Sequence, residues 1–183
     1  MEDRIFVPHD SPTAAPQIAD ALRRFISANR EIVFVCIGSD RVNGDSVGPF
    51  TGTFLQEAGG PTVYGTLDDP VHAQNLAERM NWIKRAHPRA TIIAVDAMLG
   101  RAELVGNVAV VRGPLLPGVG AGKDLGMVGD FGVAPVVAVQ DFAYMFMLQS
   151  TRLSLIVRMA RQIVAGVRMW LDQPYAQVAA SEE

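Results

Sequence analysis

Two stretches of this 183-residue chain decide how it folds: IVFVCIGSDRVNGD at residues 32–45 and IIAVD at residues 92–96. Each begins as an unbroken run of mostly aliphatic and β-branched residues, the pattern of a strand buried on both faces. An aspartate follows each run, Asp45 after a loop and Asp96 directly. If the runs are neighbouring parallel strands, both carboxylates lie at the carboxyl edge of one sheet, where open α/β sheets bind ligands.

Strands and helices alternate through the first half of the chain. Apolar periodicity, proline and glycine predict three helices, at residues 16–29, from 45 or 49 to 57, and at 73–86. Strands are predicted at residues 31–37, 62–67 and 91–95. This order predicts right-handed βαβ crossovers and an α/β fold, with a largely parallel sheet that is covered on both faces.

The second half of the chain is less regular. Strands are predicted at residues 107–112 and 133–139, with a long glycine-rich loop at 113–129 between them. The chain then turns helical, with a predicted core-facing stripe at Leu155, Met159, Ile163, Val167 and Trp170. We predict a single domain over residues 1–183, with a poorly ordered leader at 1–15 and a poorly ordered tail at 174–183.

The apolar content of residues 142–170 exceeds what one buried helix face needs. The excess side chains are Met145, Phe146, Met147 and Met159. Contiguous exposed apolar surface is typical of an interface. The segment therefore suggests self-association into a homo-oligomer, a structural hypothesis that stands beside those on the acids.

The composition argues against several classes of partner. The net charge of −3 and the pI of about 5.6 give no basic surface of the kind that nucleic acids or anionic membranes require. The N-terminus lacks the pattern of a secretory signal, and arginines interrupt the most apolar segment, so we expect a cytoplasmic protein without a membrane span. The single cysteine, Cys36, excludes an intramolecular disulfide and is predicted to be a core residue.

Asp45 and Asp96 are the candidate catalytic residues. An alternative role for Asp45 is to cap the helix that follows it, and an alternative role for Asp96 is to accept hydrogen bonds from loop amides. If the two carboxylates lie within a few Å of each other, their repulsion raises one pKa, so that they share a proton or recruit a cation. Either arrangement activates water.

Three further residues are candidates for supporting roles. His72 follows the second strand and is the best candidate for a nitrogen ligand or base, with a loop or helix-capping role as the alternative. Asp40 lies in the loop that leads to Asp45, where a local ion pair or turn is the ordinary explanation. Lys123 ends the segment PGVGAGK, residues 117–123, which departs from the phosphate-binding P-loop pattern. Its lysine either places a positive charge over the carboxylate edge or is solvated.

Five motifs, in order, resemble those of the YyaC-type sporulation proteins. They are GSDRVNGDSVGP at residues 38–49, YGTLDDPVHA at 64–73, VDAMLG at 95–100, GPLLPG at 113–118 and LQSTRLSL at 148–155. The match runs over roughly residues 31–165. That family is similar, more distantly, to the spore germination protease and to the hydrogenase maturation endopeptidases.

The resemblance assigns the two aspartates of the germination protease to Asp45, in DSVGP, and to Asp96, in VDA, and its glycine-rich loop to residues 117–123. The hydrogenase endopeptidases complete a nickel-recognising site with a later histidine, whereas this chain has no histidine after His87. The resemblance therefore implies a three-layer αβα sandwich with a mostly parallel sheet, and an aspartate pair of the germination-protease type.

Two hypotheses of function result. The leading one is a sporulation-associated endopeptidase of the spore or forespore, in which Asp45 and Asp96 activate water for attack on a protein or peptide substrate. Lys123 then holds the substrate or stabilises developing negative charge, and no cofactor is required. The alternative is a non-catalytic module of the same fold, in which Asp45, Asp96 and His72 hold a divalent metal ion or a protein partner.

Overall fold

The computed structural model describes residues 3–27, 30–118 and 125–172. Within those ranges the chain forms seven strands and five α-helices. The strands are β1 Arg4–Pro8, β2 Ile32–Cys36, β3 Thr62–Tyr64, β4 Thr91–Val95, β5 Met98–Gly100, β6 Asn107–Val111 and β7 Phe131–Val139. The helices are α1 Ala14–Phe25, α2 Val47–Glu57, α3 Leu76–Ala86, α4 Tyr144–Ser150 and α5 Leu153–Asp172. Short 3-10 turns cover Asn43–Ser46 and Ala102–Leu104.

The strands form a mixed sheet in the order β1-β6-β7-β4-β2-β3, with β5 paired to β7 beyond the end of β4. Strands β7, β4, β2 and β3 are mutually parallel, whereas β6 is antiparallel to both β7 and β1. The prediction of a mostly parallel sheet is therefore wrong. The connection from β6 to β7 has no helix in its described part, and parallel neighbours need such a crossover.

Part of the predicted leader, residues 1–15, is an edge strand. Arg4–Pro8 forms β1 along the outer edge of β6, whereas the sequence analysis places no strand in this leader. Val7 anchors the strand because its side chain is buried in the main core. Pro8 has no N–H to donate and lies at the end of an edge strand, where a missing donor is tolerated. The predicted tail, residues 174–183, lies outside the described residues.

Helices cover both faces of the parallel strands. Because successive side chains of a strand point to opposite faces, Phe34 and Cys36 of β2 pack with α1, α2 and α5. Val33 and Val35 of the same strand pack with α3 on the other face. This arrangement confirms the predicted α/β class. The strands and helices predicted in the first half are all present, with ends shifted by a few residues.

The apolar segment near the C-terminus is two helices rather than one. The chain turns at residues 151–152, between α4 and α5. The predicted stripe is the buried face of α5, with Met159, Ile163, Val167 and Trp170 all buried. Around α4, large apolar side chains are exposed instead: Phe142, Met145 and Phe146. Self-association stays a prediction. Among the described residues, no helix combines the length and apolar character that a membrane span requires.

The strand order reverses between β2 and β4. The chain moves outward from β2 to β3 and then returns across β2 to β4. The two crossover helices lie on opposite faces, α2 with Phe34 and α3 with Val33. The carboxyl ends of β2 and β4 therefore border a topological switch point, the crevice in which open α/β sheets bind ligands. Asp45 and Asp96 follow these two strand ends.

Helix α2 approaches β2 closely at a glycine. A Cβ on Gly48 would lie 2.0 Å from the carbonyl oxygen of Ile37. Alanine ordinarily stabilises a helix relative to glycine by about 1 kcal/mol. We expect Gly48→Ala to lower the free energy of unfolding by about 1–3 kcal/mol instead, because the helix must move to relieve the overlap. Urea unfolding measures the change.

Gln56→Ala is the matched control, since Gln56 is exposed on the same helix. It should change the free energy of unfolding by less than about 0.5 kcal/mol. A Gly48→Ala protein at least as stable as the wild type would show that α2 and β2 are not in such close contact.

Candidate active site

Asp96 occupies an interruption in the sheet. Strand β4 ends just before it, and β5 resumes pairing with β7 after Ala97. Met98 keeps the register of β4, and the register then shifts by one residue at Leu99. The interruption lies opposite Pro135, which has no N–H to donate to a ladder. The backbone N–H of Asp96 still donates to the carbonyl of Val133 at 3.2 Å. The break leaves Asp96 and Ala97 lining a pocket at this edge of the sheet.

Asp45 lies in the 3-10 turn Asn43–Ser46 between β2 and α2. The hydroxyl of Ser46 donates to the carbonyl of Asn43 at 2.6 Å, so the turn is held from within. The side-chain amide of Asn43 donates to the carbonyl of Thr151, between α4 and α5, at 3.1 Å. The cap position of α2 is Ser46 rather than Asp45.

Gly38 brings the loop after β2 close to Asp45. Its φ of +141° lies in the region that favours glycine, and a Cβ there would lie 1.9 Å from the backbone oxygen of Asp45. The N–H of Gly38 donates to the carbonyl of Val71 at 2.9 Å. Glycine at this position therefore lets the backbone of Asp45 lie against the end of β2.

Asp45 and Asp96 line one pocket of about 380 Å³. The structure thus brings together the two acids that the sequence predicts at a shared sheet edge. The other side chains that line the pocket are mostly apolar: Met98, Leu99, Val111, Pro114, Leu115, Leu116, Ala134 and Leu148. Arg4 and Gln140 are the further polar side chains among its described lining residues.

The pKa of Asp96 is raised well above the ordinary carboxyl value, first by burial and then by the charge of Asp45. The N–H of Ala97 donates to the Asp96 carboxylate and partly offsets both effects, because it stabilises the charged form. Asp96 keeps some contact with solvent, so its burial is enclosure by protein on the remaining sides. Asp96 therefore keeps its proton at a pH at which an exposed aspartate is ionised.

Two other predicted site residues, His72 and Asp40, do not join the acids. The ring Nδ1 of His72 accepts the N–H of Gln74 at 3.3 Å, and its backbone N–H donates to the side chain of Asn75 at 2.8 Å. These bonds hold the turn before α3, which matches the alternative role for His72. Asp40 is exposed, and neither residue lines the acid pocket. Lys123 lies outside the described residues.

Two carboxylates supply the kind of oxygen ligand that a divalent cation prefers. Within residues 3–27, 30–118 and 125–172, however, no group of three or more His, Cys, Asp or Glu side chains is arranged to hold a metal ion. His72 therefore does not complete a site with the two acids. A cation bound by the pair would take further ligands from water or substrate, as Mg²⁺ often does.

Arg4 is a charged pocket residue that the sequence analysis does not identify. It begins β1, pairs with Val111 of β6 and lines the same pocket as the acids. The unbroken apolar run at residues 5–7 is the signal that would have suggested a short strand. That signal does not indicate β6 as the partner, because β6 lies far along the chain.

The raised pKa of Asp96 makes stability depend on pH. The pKa of an unfolded aspartate is about 3.9, and below that pH the Asp96 carboxyl group is protonated in both the folded and the unfolded protein. As the pH rises from there to the raised pKa of the folded protein, the unfolded state loses its proton first, so the free energy of unfolding decreases. We expect Asp96→Asn to remove this dependence. At neutral pH it should raise the free energy of unfolding by about 1 kcal/mol or more, because asparagine still accepts the N–H of Ala97 without burying a charge.

Urea unfolding of the wild type and of Asp96→Asn, from about pH 4 to about pH 8, measures the difference in the free energy of unfolding. This range begins near the pKa of an unfolded aspartate and extends above it. Asp40→Asn is the control, because it makes the same chemical change at an exposed position in the loop after β2. It should stay within about 0.5 kcal/mol of the wild type at each pH. Parallel pH profiles for the wild type and Asp96→Asn would contradict the raised pKa.

Comparison with known proteins identifies the family of this chain. Residues 6–166 match the model of a family described as "Protein of unknown function (DUF1256)". The chain is also 43% identical over 168 residues to "Uncharacterized protein YyaC" of Bacillus subtilis (strain 168). The aligned region covers 90% of this chain and 82% of that protein. These matches confirm the YyaC-type resemblance, while the distant similarity to peptidases stays a prediction. The chain belongs to the DUF1256 family.

Proposed function

We propose that the protein is an endopeptidase in which Asp45 and Asp96 together activate a water molecule. One observation carries the proposal: the two acids line the same pocket, and the charge of Asp45 contributes to the raised pKa of Asp96. Two carboxyl groups that share a site seldom ionise together, so the pair holds one proton near neutral pH. A protonated carboxyl beside a charged one supplies both the acid and the base that amide hydrolysis needs.

The two environments suggest the two roles. Asp45, as the charged acid, takes a proton from water, and the hydroxyl that forms attacks the peptide carbonyl carbon. Asp96 donates its proton to the carbonyl oxygen, which gives a neutral tetrahedral intermediate. Asp45 then donates its proton to the leaving nitrogen while Asp96 takes one from a hydroxyl of the intermediate. The C–N bond breaks, and both acids return to their starting state.

The surroundings of the acids support a peptide as substrate. The pocket lies at the topological switch point of the sheet, and its apolar walls suit the side chains of a peptide segment. The resemblance to the germination protease supports the same aspartate pair and adds Lys123 as a substrate-binding residue. A sporulation-associated role in the spore or forespore rests on that resemblance alone.

The alternative function is a non-catalytic module that holds a divalent cation or a protein partner. The observation that favours it is the acid pair itself, because a bound cation relieves the repulsion between Asp45 and Asp96 as a proton does. Such a module binds its ligand without turnover.

Asp45→Asn and Asp96→Asn test the endopeptidase. We expect the wild type to cleave members of a mixed peptide library, read by mass spectrometry, and each variant to lose at least about 100-fold in rate, since each removes one partner of acid–base catalysis. Asp68→Asn is the control: Asp68 is exposed and outside the pocket, so cleavage should be unchanged. A wild type that cleaves nothing, or acid variants that cleave at the wild-type rate, would contradict the proposal.

Divalent cations separate the two functions. The endopeptidase uses a shared proton, so we expect its cleavage rate to be the same with and without EDTA. Calorimetry with Mg²⁺, Mn²⁺ and Zn²⁺ provides the second measurement. Stoichiometric binding that both Asp45→Asn and Asp96→Asn abolish, in a protein without cleavage, would favour the binding module instead.

A further inference from the structure

The acid pocket has a cation at its other end. Arg4 begins β1, is exposed and lines the same pocket as Asp45 and Asp96. The ion pairs formed within the described residues do not involve Arg4. Its guanidinium is therefore open to a ligand that enters the pocket.

The register of the sheet gives the span between the two ends of the pocket. Arg4 pairs with Val111 of β6, Val111 with Gly132 of β7, and Gly132 with Ala94 of β4. Ala94 comes two residues before Asp96. Three strand spacings of about 4.8 Å place Arg4 about 14 Å across the sheet from β4. The two residues from Ala94 to Asp96 add about 7 Å along the strand, so Arg4 and Asp96 lie about 16 Å apart along the diagonal. An extended peptide advances about 3.3 Å per residue, so about five residues cover this span.

The surface between the two ends is apolar. Phe6 packs on Val111 and Ala134, together with Met98 and Leu115. Alternate residues of a strand share a face, so Arg4, two residues before Phe6, lies on the same face as this cluster. A ligand that reaches from the acids to Arg4 therefore crosses Val111 and Ala134, which line the pocket.

We propose that Arg4 is a specificity-determining residue that binds a carboxylate of the substrate, about five residues from the hydrolysed bond and separated from it by apolar side chains. The inference deepens the endopeptidase function proposed above and rests on it. A guanidinium matches a carboxylate in shape and charge, because two parallel N–H groups donate to its two oxygens. The carboxylate belongs either to a Glu or Asp side chain or to the C-terminus of the peptide, and both present the same chemistry.

Peptide binding to the wild type and to Asp96→Asn tests Arg4 with and without turnover. The probes are fluorescein-labelled apolar peptides with amidated C-termini. Each carries a single Glu or a single Gln, placed at one end or the other of the apolar stretch. A further probe carries Gln and a free C-terminal carboxylate. We expect a carboxylate-bearing probe to bind about three- to tenfold more tightly than its neutral counterpart by fluorescence anisotropy, less so at high salt. The probe that shows the preference identifies the source of the carboxylate.

Substitutions at Arg4 give the decisive comparison. Arg4→Gln should bind the Glu and Gln probes equally, and Arg4→Glu should prefer a Lys probe. Arg89→Gln is the matched control, because Arg89 is exposed just before β4, at the opposite edge of the sheet from the acids. It should keep the preference of the wild type. Equal binding of all probes to the wild type, or a preference that survives Arg4→Gln, overturns the proposal.

Failure of the endopeptidase is distinguishable from failure of the Arg4 assignment. If the wild type cleaves peptides with no preference for a carboxylate, the Arg4 assignment alone is wrong. If the wild type shows the binding preference and Arg4→Gln removes it, but no peptide is cleaved, the assignment of Arg4 to carboxylate binding stands and the endopeptidase function fails.

Discussion

The pairing of β2 with β4 is the constraint on which the candidate site depends. Five consecutive residue pairs, from Ile32 with Thr91 to Cys36 with Val95, fix the register of the two strands. A slip of one residue would exchange the side chains that face α2 with those that face α3, so both cores oppose it. Both strands therefore end at the carboxyl edge of the sheet and at the same level, since Cys36 pairs with Val95. This places the two acids in one pocket although they are distant in sequence.

Placing two acids in a mainly apolar pocket opposes folding, and the rest of the molecule offsets this effect. The raised pKa of Asp96 and the stability lost at neutral pH are the same free energy measured in two ways. Apolar cores on both faces of the sheet supply the compensating burial. A destabilising arrangement held in place by a tight loop and an interrupted strand is characteristic of functional sites. This favours chemistry or binding over a purely structural role for the pair.

The sequence predicts those strands and helices whose own residues show a pattern of apolar side chains. Strands β2 and β4 are continuous apolar runs and α5 has a stripe at helical spacing, so their positions, and those of Asp45 and Asp96, follow from sequence. Strand β1 has a short apolar run as its signal, but it pairs with a strand far along the chain, so its place at the pocket was not predictable. The position of His72 after a strand suggested a ligand, but the turn into α3 uses its ring locally.

The walls of the pocket bear on whether the acid pair holds a proton or a cation. Ca²⁺ and Mg²⁺ take six or more oxygen ligands, whereas Asp45 and Asp96 together offer at most four carboxylate oxygens. Leu99, Leu115 and Leu148 line the same pocket and supply no polar side-chain atoms, so such an ion would keep several waters against apolar surface. A shared proton leaves no ligand position empty and removes the charge that burial opposes. The surroundings of the pair therefore favour the proton, and with it acid–base hydrolysis over metal binding.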